Sequence, residues 1–146
     1  MNTRYEILPD IYIGFKETLS NKMANEICKI KHFIDVEHEF NFINTSKAYK
    51  EGATKKNIEK YEIDKSVEVL VNCANKLNTN VKNNEATLLV CNTVQQFSPS
   101  VVTAYMMIYG KLSLLDSVKI VKSKKENVFN GGLLLSTALS RISSRV

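Results

Sequence analysis

ATLLV-CNTVQQF-SPS-VVTAYMMIYG, residues 86–110, is the stretch that decides the fold. Ala86 to Val90 is almost wholly apolar and too short for a helix that buries one face. It reads as a strand in the middle of a sheet covered on both sides. Cys91 to Phe97 then interrupts the pattern as a loop. Ser98 is a natural N-cap and Pro99 falls at the first helical position, where its missing N–H removes no bond. The following residues predict a helix up to Gly110. A buried strand, a short loop and an apolar helix in immediate succession are the unit of an α/β domain.

Working outward, Tyr5 to Gly14 contains a turn at Pro9-Asp10 and a short β-prone run, Ile11-Tyr12-Ile13. Ser20 can cap a helix from Asn21 that carries Met23, Ile27 and Ile30, with Cys28 beside them. Lys31 to Val36 reads as a strand. Glu37 to Lys60 is polar and uneven, with Phe40, Phe42, Ile43 and Tyr49 as anchors and a turn near Gly52. A strand is expected over Ile58 to Ile63. Asp64 or Ser66 can then cap a helix whose inward stripe is Val67, Leu70, Val71, Ala74 and Leu77. Asn78 to Glu85 reads as a polar connection.

After Gly110, Ser113 can cap a helix over Leu112–Lys122 with Leu115, Val118 and Val121 as its core stripe. Asn130-Gly131-Gly132 predicts a turn. A terminal helix follows from Leu133 to about Ser140, with Leu134, Leu135, Ala138 and Ile142 inward. The whole, residues 1–146, is expected to form one α/β domain of three layers around a mostly parallel sheet.

Composition narrows the function classes. The chain has 146 residues, with 44% hydrophobic and 24% charged residues, and a formal charge of +5. Its only arginines are Arg4, Arg141 and Arg145, so lysine carries the excess. No dense basic stripe with interleaved aromatics marks a nucleic-acid surface. Cys28, Cys73 and Cys91 match no zinc spacing, and His32 and His38 do not complete a ligand set, so neither a metal nor a cofactor is expected. Free thiols suit a reducing compartment. The polar N-terminus does not resemble a signal peptide, and no apolar run approaches the roughly 20 residues of a membrane span. A cytoplasmic or nuclear location is the expectation.

Residues 86–125 resemble the dual-specificity phosphatase family, a branch of the cysteine-dependent protein tyrosine phosphatases. The family pattern is a buried strand, His-Cys, five residues, Arg and Ser/Thr, then a helix close to A-x-V-V-x-A-Y-L-M. An S-L-x-x-A segment and V-K-x-x-R follow. Ala104-Tyr105-Met106-Met107, Leu112-Ser113-Leu114 and Val121-Lys122-Ser123-Lys124-Lys125 fall on these segments. Ile7-Leu8-Pro9-Asp10-Ile11-Tyr12-Ile13-Gly14 is similar to the family's opening I-x-P-x-L-Y-L-G. Asn130-Gly131-Gly132 is similar to its N-x-G-F ending.

The resemblance implies a nucleophile at Cys91 in a loop of Cys91, Asn92, Thr93, Val94, Gln95, Gln96, Phe97 and Ser98. It also implies where the chemistry is weakened. A thiolate needs stabilising N–H groups and a cation, and the phosphoryl oxygens need the planar fork of arginine. The arginine position holds Phe97, which has neither charge nor donors. Val94 stands for a glycine, Gln96 for a small serine and Val90 for the histidine before the cysteine. Ser98 keeps the family hydroxyl. Asp64, 27 residues before Cys91, falls near the general-acid position and also suits a helix cap.

Several readings stay open at this level. Cys91 is either an inert buried thiol or a reactive one. Phe97 either fills the former phosphate pocket or stands out as a partner anchor. Lys119, Lys122, Lys124 and Lys125 form either a solvated face or a surface for an acidic or phosphorylated protein. The expected function is that of a catalytically inactive, phosphatase-like protein, not an enzyme, acting by protein binding as adaptor, competitor or homo-oligomer subunit. The alternatives are an atypical phosphatase using Cys91 with Asn92, Thr93 and the Gln95–Gln96 amides, and binding of acidic ligands such as nucleic acid or phosphoinositides through the lysine face.

Overall fold

A computed structural model describes residues 4–17, 26, 29–43, 60–92 and 96–146. Four strands are present: β1 (Arg4–Leu8), β2 (Ile11–Gly14), β3 (Ile30–Asp35) and β4 (Ala86–Val90). The helices are α1 (Val36–Glu39), α2 (Lys60–Lys82), α3 (Phe97–Gly110), α4 (Leu114–Lys124) and α5 (Ser136–Arg145). The strand order is β1-β2-β4-β3, with β1 antiparallel to β2 and both other pairings parallel. Helices flank this sheet, giving the expected α/β architecture.

The opening strand sits where its composition requires. All five residues of β4 are buried, and the strand lies between β2 and β3. A residue here meets side chains above and below, so polar side chains are excluded unless bonded; Thr87 is buried and accepts a hydrogen bond from Asn80 Nδ2 at 2.9 Å. The β1–β2 hairpin turns at Pro9-Asp10, with Asp10 in the left-handed region at φ 67°. Asp tolerates that conformation better than most side chains.

Helix α3 buries ten of its fourteen residues, including Val101, Val102, Ala104, Met106 and Met107. Each large aliphatic side chain withdrawn from water contributes about 1.5–3 kcal/mol. It packs chiefly on α2, and α5 packs on both. In α2 the expected stripe holds: Val67, Leu70, Ala74 and Leu77 are buried and Val71 is packed against the core. Cys73 is buried with them.

Several boundaries differ from the sequence expectation. Residues 60–63 begin α2 instead of ending a strand, so Asp64 lies inside the helix and is not its cap. The missing apolar alternation in the sequence over 58–63 is the signal against a strand: Lys60 and Tyr61 are exposed while Glu62 is buried. The same helix runs through the supposed connection to Lys82. Gln96, not Ser98, precedes α3, which places Pro99 third in the helix, still inside the first turn, where N–H groups have no intrahelical acceptor.

In α4, Ser113 caps as expected, its Oγ accepting from the Asp116 N–H at 3.0 Å. Leu115, however, points outward, 63% exposed, while Ser117 and Val121 are buried. The terminal helix starts later, at Ser136, yet Leu134, Leu135, Ala138 and Ile142 are all buried. The expected turn occupies residues 130–132, with Gly131 at φ 79° and Gly132 at φ 100°. The expected helix from Asn21, Cys28, Tyr49 and the Gly52 turn lie outside the described residues. No helix among those described is long and apolar enough to cross a membrane.

Candidate functional site

Parallel register brings three strand ends together. Gly14 of β2 and Asp35 of β3 both pair with Val90, the last residue of β4. The residues that follow each strand therefore emerge side by side: Phe15-Lys16, Val36-Glu37 and Cys91-Asn92. This carboxyl edge of a parallel sheet is where α/β folds place ligands, because the chain leaves the ladder with unpaired backbone groups.

Cys91 opens the loop there. Its N–H extends the ladder by donating to the Gly14 carbonyl at 3.1 Å, and the residue is buried. The next N–H, of Asn92, donates to Glu37 Oε1 at 3.3 Å. Glu37 Oε2 lies 2.9 Å from Lys16 Nζ, which is also 3.6 Å from Asp35 Oδ2. The Glu37 hydrogen bond, outweighing a smaller desolvation, holds the Lys16 ammonium above the ordinary lysine range, with Asp35 adding to it. One cation thus faces two carboxylates at the mouth of the loop, and its first free N–H already has an anionic acceptor. Asp35 also caps α1, accepting from the His38 N–H at 3.1 Å.

Phe97 is only 3% exposed and stacks on Phe40, with ring centroids 4.8 Å apart and planes 6° from parallel. Of its two readings, the exposed anchor on a partner surface is corrected: the ring is part of the core. Gln96 was read as an oversized replacement for serine. It is buried, and its amide ties the start of α3 to the Gly-Gly turn. Nε2 donates to the carbonyl oxygens of Gly132 at 2.9 Å and Asn130 at 3.4 Å, while Oε1 accepts from the Leu134 N–H at 3.0 Å. The Leu134 N–H is buried, and leaving it unpaired would cost about 1–3 kcal/mol. Ser98 and Ser100 are buried, and their hydroxyls have no partner among the described residues. Thr93, Val94 and Gln95 lie outside the described residues.

The other expected site residues disperse. Asp64 forms an ion pair with Arg141, joining α2 to α5, and this is the contact that holds its carboxylate. Lys119, Lys122 and Lys124 are exposed on α4. Lys125 is not: it folds back with Nζ 4.8 Å from the Tyr5 ring centroid and donates to the Glu126 carbonyl at 2.9 Å. A groove of about 660 Å³ runs along β3 and α2 past Phe33, Asp35, Asn75 and Lys76, but neither Cys91 nor Phe97 lines it. Burial pushes the Cys73 thiol up to about 11, with Glu39 adding and Lys76 opposing, so it stays neutral at ordinary pH. Among the described residues no group of three His, Cys, Asp or Glu side chains could hold a metal.

Lys16, Asp35 and Glu37 were not anticipated as site residues. They form no sequence motif, because Lys16 follows β2 whereas Asp35 and Glu37 stand at the end of β3. The signal that could have found them is register: each stands within two residues of a parallel strand's last member.

No protein-family model matches the chain, and no curated protein matches it. Solved structures do. A leucine-rich-repeat and phosphatase-domain protein from Entamoeba histolytica superposes with TM-score 0.75 at 12% identity, covering 99% of this chain and 92% of that one. A mouse putative dual-specificity phosphatase, complexed with zinc tungstate, gives TM-score 0.74 at 13% identity over 99% and 89% of the two chains. A human tyrosine phosphatase-like serine/threonine/tyrosine-interacting protein gives 0.71 at 15% identity over 99% and 98%. The chain therefore has the dual-specificity phosphatase-like fold over essentially its full length. The expectation that it is not an enzyme is corrected by the same likeness: proteins described as phosphatases share this fold, and their structures lend no support to excluding activity.

Proposed function

We propose that this phosphatase-fold chain works chiefly by binding a protein partner, with whatever phosphoryl transfer Cys91 supports being slow. The observation that carries the reading is Phe97. It stands where the resemblance puts the arginine that grips two phosphoryl oxygens, and it is buried against Phe40 instead. An aromatic ring offers a developing phosphoryl charge nothing, and loss of such a bidentate contact costs roughly 10³-fold in rate. Glu37 works in the same direction, since a carboxylate on the Asn92 N–H repels an incoming oxyanion.

Binding needs none of what the loop lacks. The human neighbour whose name describes it as phosphatase-like and interacting offers a precedent for that division of labour within the fold. The partner is a protein, acidic or phosphorylated to suit the +5 charge, or a second copy of the chain. A reducing compartment, cytoplasmic or nuclear, suits the buried thiols of Cys73 and Cys91.

The test is affinity capture from a cell extract combined with sedimentation of the purified chain. A stable partner or self-association is expected, retained when Cys91→Ser is compared with wild type. Absence of any association, or its loss on Cys91→Ser, would contradict the reading.

A further inference from the structure

Leu115 is the side chain that the core stripe should have claimed and did not. It is 63% exposed on a helix whose inward side is already filled by Ser117 and Val121, with Val118 half-buried beside it. An exposed leucine alone means little. Here its neighbours matter. Lys119 and Lys122 stand four and seven residues on, which at 3.6 residues per turn puts all three side chains on one outward face. Both lysines are exposed, and neither forms an ion pair among the described residues. Lys124 is two and a half turns beyond Leu115 and so leaves the helix on the opposite side.

The helix that carries the face is tied at both ends. Ser113 caps the helix start, Val121 anchors it in the core, and the Lys125 N–H closes its end on the Val121 carbonyl at 3.1 Å. A preformed surface loses little entropy when it is covered.

Resting on the binding reading above, we propose that Leu115, Lys119 and Lys122 dock an acidic segment of a partner protein that presents a large apolar side chain to Leu115. The charge decides among occupants. A second copy meeting the same face about a two-fold axis would set lysines against lysines, which disfavours self-association there. Nucleic acid would use the lysines but gain nothing from the leucine, and no aromatic residue interleaves them for base stacking. An acidic chain with an apolar anchor uses both.

Fluorescence anisotropy with two labelled synthetic peptides tests this: one alternates glutamate pairs with leucines, the other replaces each leucine by serine. The leucine peptide should bind the full chain more tightly than the serine peptide and weaken with added salt. Leu115→Ser should weaken it about tenfold, the scale of one buried leucine. The double variant Lys119→Glu/Lys122→Glu should abolish binding, whereas Lys124→Glu, the same charge change on the other side, should shift it less than about twofold. No binding of the leucine peptide would overturn the proposal. So would equal binding of the serine peptide or of a single-stranded oligonucleotide, or equal weakening by Lys124→Glu. Partner capture that survives both Leu115→Ser and Lys119→Glu/Lys122→Glu would overturn this face and leave the binding reading standing, whereas a wild-type chain with no association at all would overturn that reading itself.

Discussion

Phe97 and Leu115 stand in the first turns of consecutive helices, α3 and α4, and face opposite ways. Phe97 follows a polar loop, at a position where a charged fork would face a ligand, yet it is 3% exposed and stacked on Phe40. Leu115 sits in an apolar stripe, yet it is 63% exposed among lysines. At the loop end of the sheet, Gln96 and Phe97 turn inward, one to internal hydrogen bonds and the other to packing. The outer helix has turned an apolar side chain toward solvent. A binding role draws on the second region and asks little of the first.

Breaking the inward region should have the largest effect. Phe97→Ala removes a stacked, fully packed ring and should lower unfolding free energy by about 3–5 kcal/mol, read by urea denaturation. A loss below about 1 kcal/mol would mean that the ring is not part of the core. Gln96→Ala strands the Leu134 N–H and the Gly132 carbonyl that its amide now serves, and should cost about 1–3 kcal/mol. Protection of the Leu134 amide against hydrogen exchange should fall with it. Leu115→Ser, on the outward side, should change stability by no more than about 0.5 kcal/mol. A cost near that of Phe97→Ala would erase the contrast and place Leu115 in the core after all.

The fold was legible where one pattern had one explanation. Four apolar residues and one threonine, 86–90, read as a doubly covered strand, and Asn130-Gly131-Gly132 supplied glycines where φ is positive. It was less legible where two elements share a composition. Lys60 to Ile63 offers an aromatic and a β-branched residue to either state, yet these residues belong to α2. Leu115, Val118 and Val121 fit a stripe by spacing, but Ser117, not Leu115, is buried beside Val121.

In the site, Cys91 and the missing charge at Phe97 could be read from one segment. The contacts of Gln96 could not, because its partners lie 34 to 38 positions away across the turn. Nor could the Lys16–Glu37–Asn92 contact, which depends on the relative register of three strands.

The most direct test of the missing charge at Phe97 is steady-state hydrolysis of an aryl phosphate, measured for wild type and Cys91→Ser beside an arginine-bearing phosphatase of the same fold. The wild-type rate should lie about a thousandfold or more below that reference, the scale of the missing bidentate contact. Turnover within about tenfold of the reference, abolished by Cys91→Ser, would contradict the account and return the loop to phosphoryl transfer.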